Sequence, residues 1–412
     1  MGRMGSGILR RTAGAGTPRP REYNRPVNRI YLDHNASTPL DPRVLEAMLP
    51  VLRDGFGNPS SLQWFGQRAR AAVDMAREQV AILVGASPGE IVFTGSGTEA
   101  DNMALRGAAA AAREPRQKIV YSTIEHHAVM NTAKALAEEG FPVETVRVRA
   151  DGRIDLDDLR AKVDDRTALV AVMYANNETG LVQPIAEVVR IARERGALVH
   201  CDAVQAAGKI SVDVRALDVD TLALSAHKIY GPKGAGALYV KRGTRLKAFV
   251  RGGSQERNRR AGTENVAGIV GLGRAAALAR EELAAESIRL SGLRDRLETH
   301  LLAIAGAQRN GEGTRVPNTA NVSFSGVEAE SLVMALDLAG LAVSTGAACA
   351  AGAVEPSHVL RAMGLPVDRV QASLRFSLGR GTSAAEIDEA ATRVAEAVDK
   401  QRRSSAVYAK KA

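Results

Sequence analysis

The chain has 412 residues, 45% of them apolar and 25% charged, with a formal net charge of +9. That length exceeds what one hydrophobic core usually supports, so two domains are expected, and the composition is ordinary for a globular protein. No stretch of eighteen residues is apolar enough to span a membrane, and two cysteines, Cys201 and Cys349, are too few for a disulfide framework and fit a reduced, cytoplasmic setting.

The basicity belongs to the ends of the chain. Residues 1–29 carry +6 and residues 400–412 carry +5, which leaves about −2 for residues 30–399. The excess therefore does not describe a nucleic-acid-binding or membrane-binding face. Residues 1–29 read as a disordered basic extension, with an Arg-rich transit segment addressed to the mitochondrial matrix as the alternative, and 400–412 as a basic tail.

Between the tails, short apolar runs alternate with Ala-, Glu- and Arg-rich segments of helical spacing. EIVFTG (90–95), KIVYST (118–123), TALVAVMYA (167–175), ALVHCDA (197–203), DTLALSA (220–226) and GALYV (236–240) are apolar throughout. Such runs predict a mostly parallel sheet covered by helices on both faces. From about 265 to 305 the pattern is helical, and 320–400 mixes strands (TANVSFS, SLRFSL) with helices. The expected division is a large domain over 30–280, its first ten or so residues packing with a smaller α+β domain over 281–399.

In open α/β sheets the ligand sits beyond the carboxyl ends of the strands, so the residues following each run matter most. After EIVF comes TGSGTEADN, a turn entering a helix that suits a phosphate but is also a common plain cap. It matches neither nucleotide fingerprint. After KIVYST come His126 and His127; adjacent histidines point apart and serve a shared metal poorly, whereas one of them could stack on an aromatic ligand and move protons. No metal is expected. After ALVHC comes Asp202, a strand-end carboxylate that needs a cation or a donor. After DTLALSA comes Lys228, an amine placed to become a nucleophile for an aldehyde. A phosphate, an acid for a ring nitrogen and an aldehyde that condenses with lysine together describe pyridoxal 5′-phosphate.

The segments YLDHNASTPLDPRV, FGNPSS, IVFTGSGTEADN, IEHHAV, NNETGLVQPI, HCDAVQAAGKI, SAHKIYGPKGAGALYV, RRAGTENV, STGAACAAG and RFSLGR, in this order over about residues 30–395, closely resemble the cysteine desulfurases. They look most like the branch of this class-V aminotransferase family that serves nitrogen-fixation-type and general iron–sulfur cluster assembly. The resemblance implies the type I fold of pyridoxal-phosphate aminotransferases and a reaction that converts L-cysteine to L-alanine. The sulfur would pass through a persulfide on Cys349 to an acceptor such as a cluster scaffold. By motif, Lys228 would hold the cofactor, His126 stack on its ring, Asp202 pair with the ring nitrogen and Gln205 with the ring oxygen. Gly97, Thr98, Ser225 and His227 would hold the phosphate. Thr263 would reach the phosphate from the other subunit of a homodimer. Asn177 would lie near ring and substrate, and Arg375 would clamp the substrate carboxylate. A small-substrate aminotransferase or selenocysteine lyase would keep Lys228, Asp202 and Arg375 without Cys349 as sulfur acceptor. A non-catalytic sulfur carrier or scaffold would need neither the lysine nor the ring-binding set.

Overall fold

The computed structural model describes residues 28–346 and 356–404. Twelve strands are described: β1 (Ile30–Tyr31), β2 (Ile91–Thr94), β3 (Lys118–Ser122), β4 (Val143–Val146), β5 (Thr167–Ala171), β6 (Leu198–Asp202), β7 (Thr221–Ser225), β8 (Gly236–Val240), β9 (Ala307–Arg309), β10 (Thr319–Phe324), β11 (Leu341–Ala342) and β12 (Ser373–Ser377). A seven-stranded sheet has the order β2-β8-β7-β6-β5-β3-β4. It is parallel except at β8, which runs antiparallel to both β2 and β7. The expected mostly parallel α/β architecture is what is found, and the reversal has a plain cause. Only residues 226–235 join β7 to β8, fewer than the dozen or more that a parallel crossover needs.

The six apolar runs all become strands of this sheet. The strand β4 had no such signal: its sequence, VETV, alternates apolar with polar residues and lies at the sheet edge beside β3. Helices α1 (Pro42–Asp54), α2 (Trp64–Val84), α3 (Gly97–Ala111) and α4 (His127–Glu138) follow in the first third of the chain. One face of the sheet packs on a core that includes Val73, Val80, Val170, Val199, Leu222 and Leu272. The other packs on one that includes Met103, Leu105, Ile119, Val129, Leu169 and Leu238.

A separate core gathers Leu297, Val322, Phe324, Leu336, Phe376 and Val394 around the three-stranded sheet β12-β10-β9. Ile30 and Leu32 belong to that core, and β1 pairs in parallel with β11. A single 37-residue helix, Val266–Leu302, serves both regions: Ile269 to Ala279 pack in the first, Leu290 to Leu301 in the second. No helix among the described residues is long and apolar enough to cross a membrane.

Candidate active site

Because β2, β3, β5, β6 and β7 run in the same direction, their carboxyl ends open on one side of the sheet. A cavity of about 340 Å³ lies there, within the range of small-molecule sites. Its wall includes Gly97 and Thr98 after β2, His126 and His127 after β3, Asn177 and Glu178 after β5, Asp202 and Gln205 from β6 onward, and Ser225, His227 and Lys228 from β7 onward. The N-terminal segment adds Asn35, and the C-terminal region closes the cavity with Ser344, Gly346, His358 and Arg375.

The cavity thus brings together ten of the twelve residues singled out from the sequence. Thr263 is exposed in the loop before the helix Val266–Leu302 and does not line it. Cys349 lies outside the described residues.

At one end stands the N-terminus of α3, capped by Ser96, whose Oγ accepts from the amide of Glu99. Among the described residues the amides of Gly97 and Thr98 make no hydrogen bond. They are the orphan donors of a fifteen-residue helix, and its dipole adds to them. A side chain at position 97 would not fit, since a Cβ there would stand 2.8 Å from Cγ2 of Val204. The close approach of the helix end therefore requires glycine.

The floor is acidic. Asp202 accepts from the amide of Val204 through Oδ1 at 2.9 Å, and its Oδ2 takes no hydrogen bond among the described residues. Burial raises its pKa, while His126, the Val204 amide and Lys228 pull it down. Asp101 and Glu125 are raised too, first by burial and then by the Asp202 charge. The Asp202 charge is thus felt by two further buried carboxyl groups, an arrangement that favours a cation set against Asp202.

His126 caps α4. Its Nδ1 accepts from the amide of Ala128 at 3.1 Å, so the neutral ring carries its proton on Nε2. Burial is the first reason its pKa falls below the usual value, with Asp202 opposing. Lys228 sits on the short β7–β8 connection, with Nζ donating to the carbonyls of Asn35 at 2.5 Å and Ala36 at 2.7 Å. Burial and then the Arg375 charge lower its pKa to about 8, against the pull of Asp202 and Asp33. His227 is held in place by its carbonyl, which accepts from Oγ1 of Thr38.

Arg375 projects from β12. One Nη donates to the carbonyl of Asn177 at 3.1 Å, the other to Oδ1 of Asp33 at 2.6 Å, and the buried Nε has no partner among the described residues. Glu178 is buried beside it and accepts from Oγ of Ser357 at 2.5 Å. Asn35, Asp33 and Glu178 were not singled out from sequence. Asn35 meets Gln205 and Lys228 through its backbone carbonyl, for which a side-chain motif gives no signal.

The amides of Gly97 and Thr98, the acidic floor and the partly neutralised amine of Lys228 suit the phosphate, the ring nitrogen and the aldehyde of pyridoxal phosphate in that order.

Comparison with known proteins agrees with this chemistry. The aminotransferase class-V family model matches residues 30–390. A cysteine desulfurase of Trichormus azollae is 50% identical over 375 residues, covering 90% of this chain and 94% of that protein. The cysteine desulfurase IscS of Anaeromyxobacter dehalogenans is 48% identical over 388 residues, covering 92% and 95%. Among solved structures, a NifS-like protein superposes with a TM-score of 0.85 at 38% identity, covering 90% of this chain and all of that one. SspA in complex with cysteine superposes with 0.75 at 35% identity, covering 84% and 98%. Motifs, fold and comparisons coincide: the chain belongs to the cysteine desulfurases, within the class-V aminotransferase family.

Proposed function

We propose that this chain takes sulfur from L-cysteine, releases L-alanine and hands the sulfur on through Cys349. The observation that carries the reading is the joint presence, in one cavity, of a low-pKa lysine and a buried arginine with a free N–H. The family's cofactor is pyridoxal phosphate. When bound, it supplies an electron sink beside Cα of the substrate.

The chain's own residues do the rest. Gly97 and Thr98 hold the phosphate, with Ser225 and His227 closing the cradle. Asp202 would hold the ring nitrogen and Gln205 the ring oxygen, with His126 and Asn177 beside the ring. Arg375 orients the substrate through its carboxylate, because a planar guanidinium can meet both oxygens. Lys228, whose pKa is lowered to about 8 so that its neutral amine is within reach, takes up the Cα proton. His126 offers a proton from Nε2.

The Cys349 thiolate attacks the sulfur of L-cysteine, and the carbon–sulfur bond breaks with its electron pair left on carbon. That carbon is protonated to the methyl group of alanine, Lys228 returns a proton to Cα, and the sulfur stays on Cys349 as a persulfide. Cys349 follows Gly346, a residue of the cavity wall, by three positions in the sequence.

We also read the chain as a cytoplasmic homodimer in which Thr263, absent from its own cavity, serves the neighbour's. The domains divide near residue 280, and the sulfur goes to an acceptor such as an iron–sulfur cluster scaffold. The test is to incubate the purified protein with pyridoxal phosphate and L-cysteine and to measure alanine and sulfide with and without a reductant. Alanine and sulfide in equal amounts with a reductant are expected; no alanine would refute the proposal.

A further inference from the structure

Beneath the cavity lies a second buried lysine with no place in the scheme above. Lys209 is 7% exposed, and its Nζ donates to Oδ1 of Asn35 at 3.0 Å and to Oε1 of Gln205. Among the described residues it has no carboxylate partner. Burial, and then the charges of Lys228 and Arg375, hold the pKa of Lys209 well below that of an ordinary lysine, and keeping such an amine against neutral amides is costly, so a role outside stability is called for.

The hydrogen bonds around it assign one. The carbonyl of Asn35 can only accept, so the atom of Gln205 that meets it at 2.9 Å is Nε2. That leaves Oε1 for Lys209, whose nitrogen donates whether charged or neutral. Gln205 and Lys209 stand four residues apart on a helical turn, where Ala207 and Ile210 bond back to Ala203 and Ala206, so their side chains share a face. The backbone of Lys209 is itself fixed, its carbonyl accepting from Oγ of Ser287 on the long helix. With Oε1 drawn away from the cavity and one N–H directed to Asn35, the second N–H of Gln205 makes no hydrogen bond among the described residues, and Gln205 lines the cavity.

We propose that Lys209 is a positioning residue: it holds the Gln205 amide with its N–H toward the cavity and so makes that wall a dedicated donor for the ring oxygen of pyridoxal phosphate. Without Lys209 the Gln205 amide is held from one side only, by the Asn35 carbonyl, and its N–H is less strictly directed toward the cavity. The proposal rests on the pyridoxal-phosphate reading.

The two are tested apart with pyridoxine 5′-phosphate, which has an alcohol where the cofactor has its aldehyde and cannot condense with Lys228. Binding to the full-length, cofactor-free chain is measured by calorimetry for this compound and for its 3-deoxy analogue, which lacks the ring oxygen. The wild type is expected to prefer the first by about tenfold, the usual worth of one satisfied hydrogen bond. Lys209→Met fills the slot with an apolar chain of similar length and is expected to fold, to bind the 3-deoxy analogue as the wild type does, and to lose most of the preference. Lys209→Arg keeps a donor and should retain more than half of it. If Lys209→Met fails to fold, Lys209→Leu is read in the same way. An undiminished preference in the apolar variants, or no preference in the wild type, overturns the role of Lys209. A wild type that binds neither compound overturns the cofactor reading itself.

Discussion

Arg375 and Asp33 meet through Nη2 and Oδ1 at 2.6 Å across the junction of β12 and the N-terminal segment. The contact leaves the buried Nε of the same guanidinium without a partner. Asp33 therefore holds the arginine from one side while an N–H stays free on another.

If that N–H receives the substrate carboxylate, Arg375→Lys should lower kcat/KM for L-cysteine by about 2–5 kcal/mol, the usual cost of losing one partner of a buried charged hydrogen bond. A lysine supplies the charge but not the fork. Cofactor content should not change. Alanine formation at varied L-cysteine, with cofactor measured on the same samples, checks both.

The position of Lys228 leads to a pH dependence. Its pKa is lowered to about 8, so the neutral amine is the minor form at pH 7 and the major form above about 8. Covalent attachment of pyridoxal phosphate to the cofactor-free protein should accelerate as pH rises through about 8 and then level off, far below the 10.4 of an ordinary lysine. Trapping with borohydride at timed intervals, followed by mass spectrometry of the Lys228 peptide, measures the rate. Lys228→Ala should trap nothing.

The two cysteines should behave oppositely. Cys201 is fully buried in β6, and burial together with Asp202, Glu125 and Asp101 pushes its thiol well above the usual range. It stays protonated and inert. Cys201→Ala should cost roughly 1 kcal/mol of stability and little activity. Cys349→Ala should still take up the cofactor but lose turnover on the order of 10³-fold or more. Mass spectrometry after exposure to L-cysteine without reductant should find one extra sulfur on the Cys349 peptide.

Gly346, three residues before Cys349, has φ +85°, and a Cβ there would stand 2.9 Å from Oε2 of Glu178. Gly346→Ala combines an unfavourable left-handed conformation with a clash against a carboxylate that Ser357 already holds. A loss of about 1–2 kcal/mol in stability is expected. Persulfide formation should fall further than attachment of the cofactor to Lys228. Equilibrium denaturation and the two mass-spectrometric assays distinguish these effects.

Arg77 and Glu256 form a bidentate pair, both distances 2.7 Å, with side chains 4% and 2% exposed. Glu256 also accepts from the amide of Phe93 and begins three successive residues of positive φ, Glu256, Arg257 and Asn258. Glu256→Gln should destabilise the protein by about 3–5 kcal/mol, because it removes the charge set against the buried guanidinium and leaves it the Ile91 carbonyl and Asp74 at 4.0 Å. Denaturant titration checks the figure.

What the sequence revealed and concealed follows from where the information resides. The strands of the central sheet were legible because burial on both faces makes a run apolar throughout, whereas β4, at the edge, carries Glu144 and Thr145 and was missed. The direction of β8 could not be read from GALYV itself, because it depends on the length of the connection that carries Lys228. Lys228 and Asp202 announced themselves as charged groups ending apolar runs. Arg375 did not: β12 is buried at every position, and only the motif around it singled it out. Asn35 meets Gln205, Lys209 and Lys228, relations that exist only once segments 170 or more residues apart have met.

The helix Val266–Leu302 extends about 55 Å as one uninterrupted rod, embedded at one end beside the seven-stranded sheet and at the other beside the three-stranded one. Two bodies threaded on a common shaft are not joined by a loop that could act as a hinge; rotation of one against the other has to bend the shaft. The distance from Lys228, on the first body, to Arg375, on the second, is therefore gauged by the shaft. Heat should melt both bodies together in a single calorimetric peak.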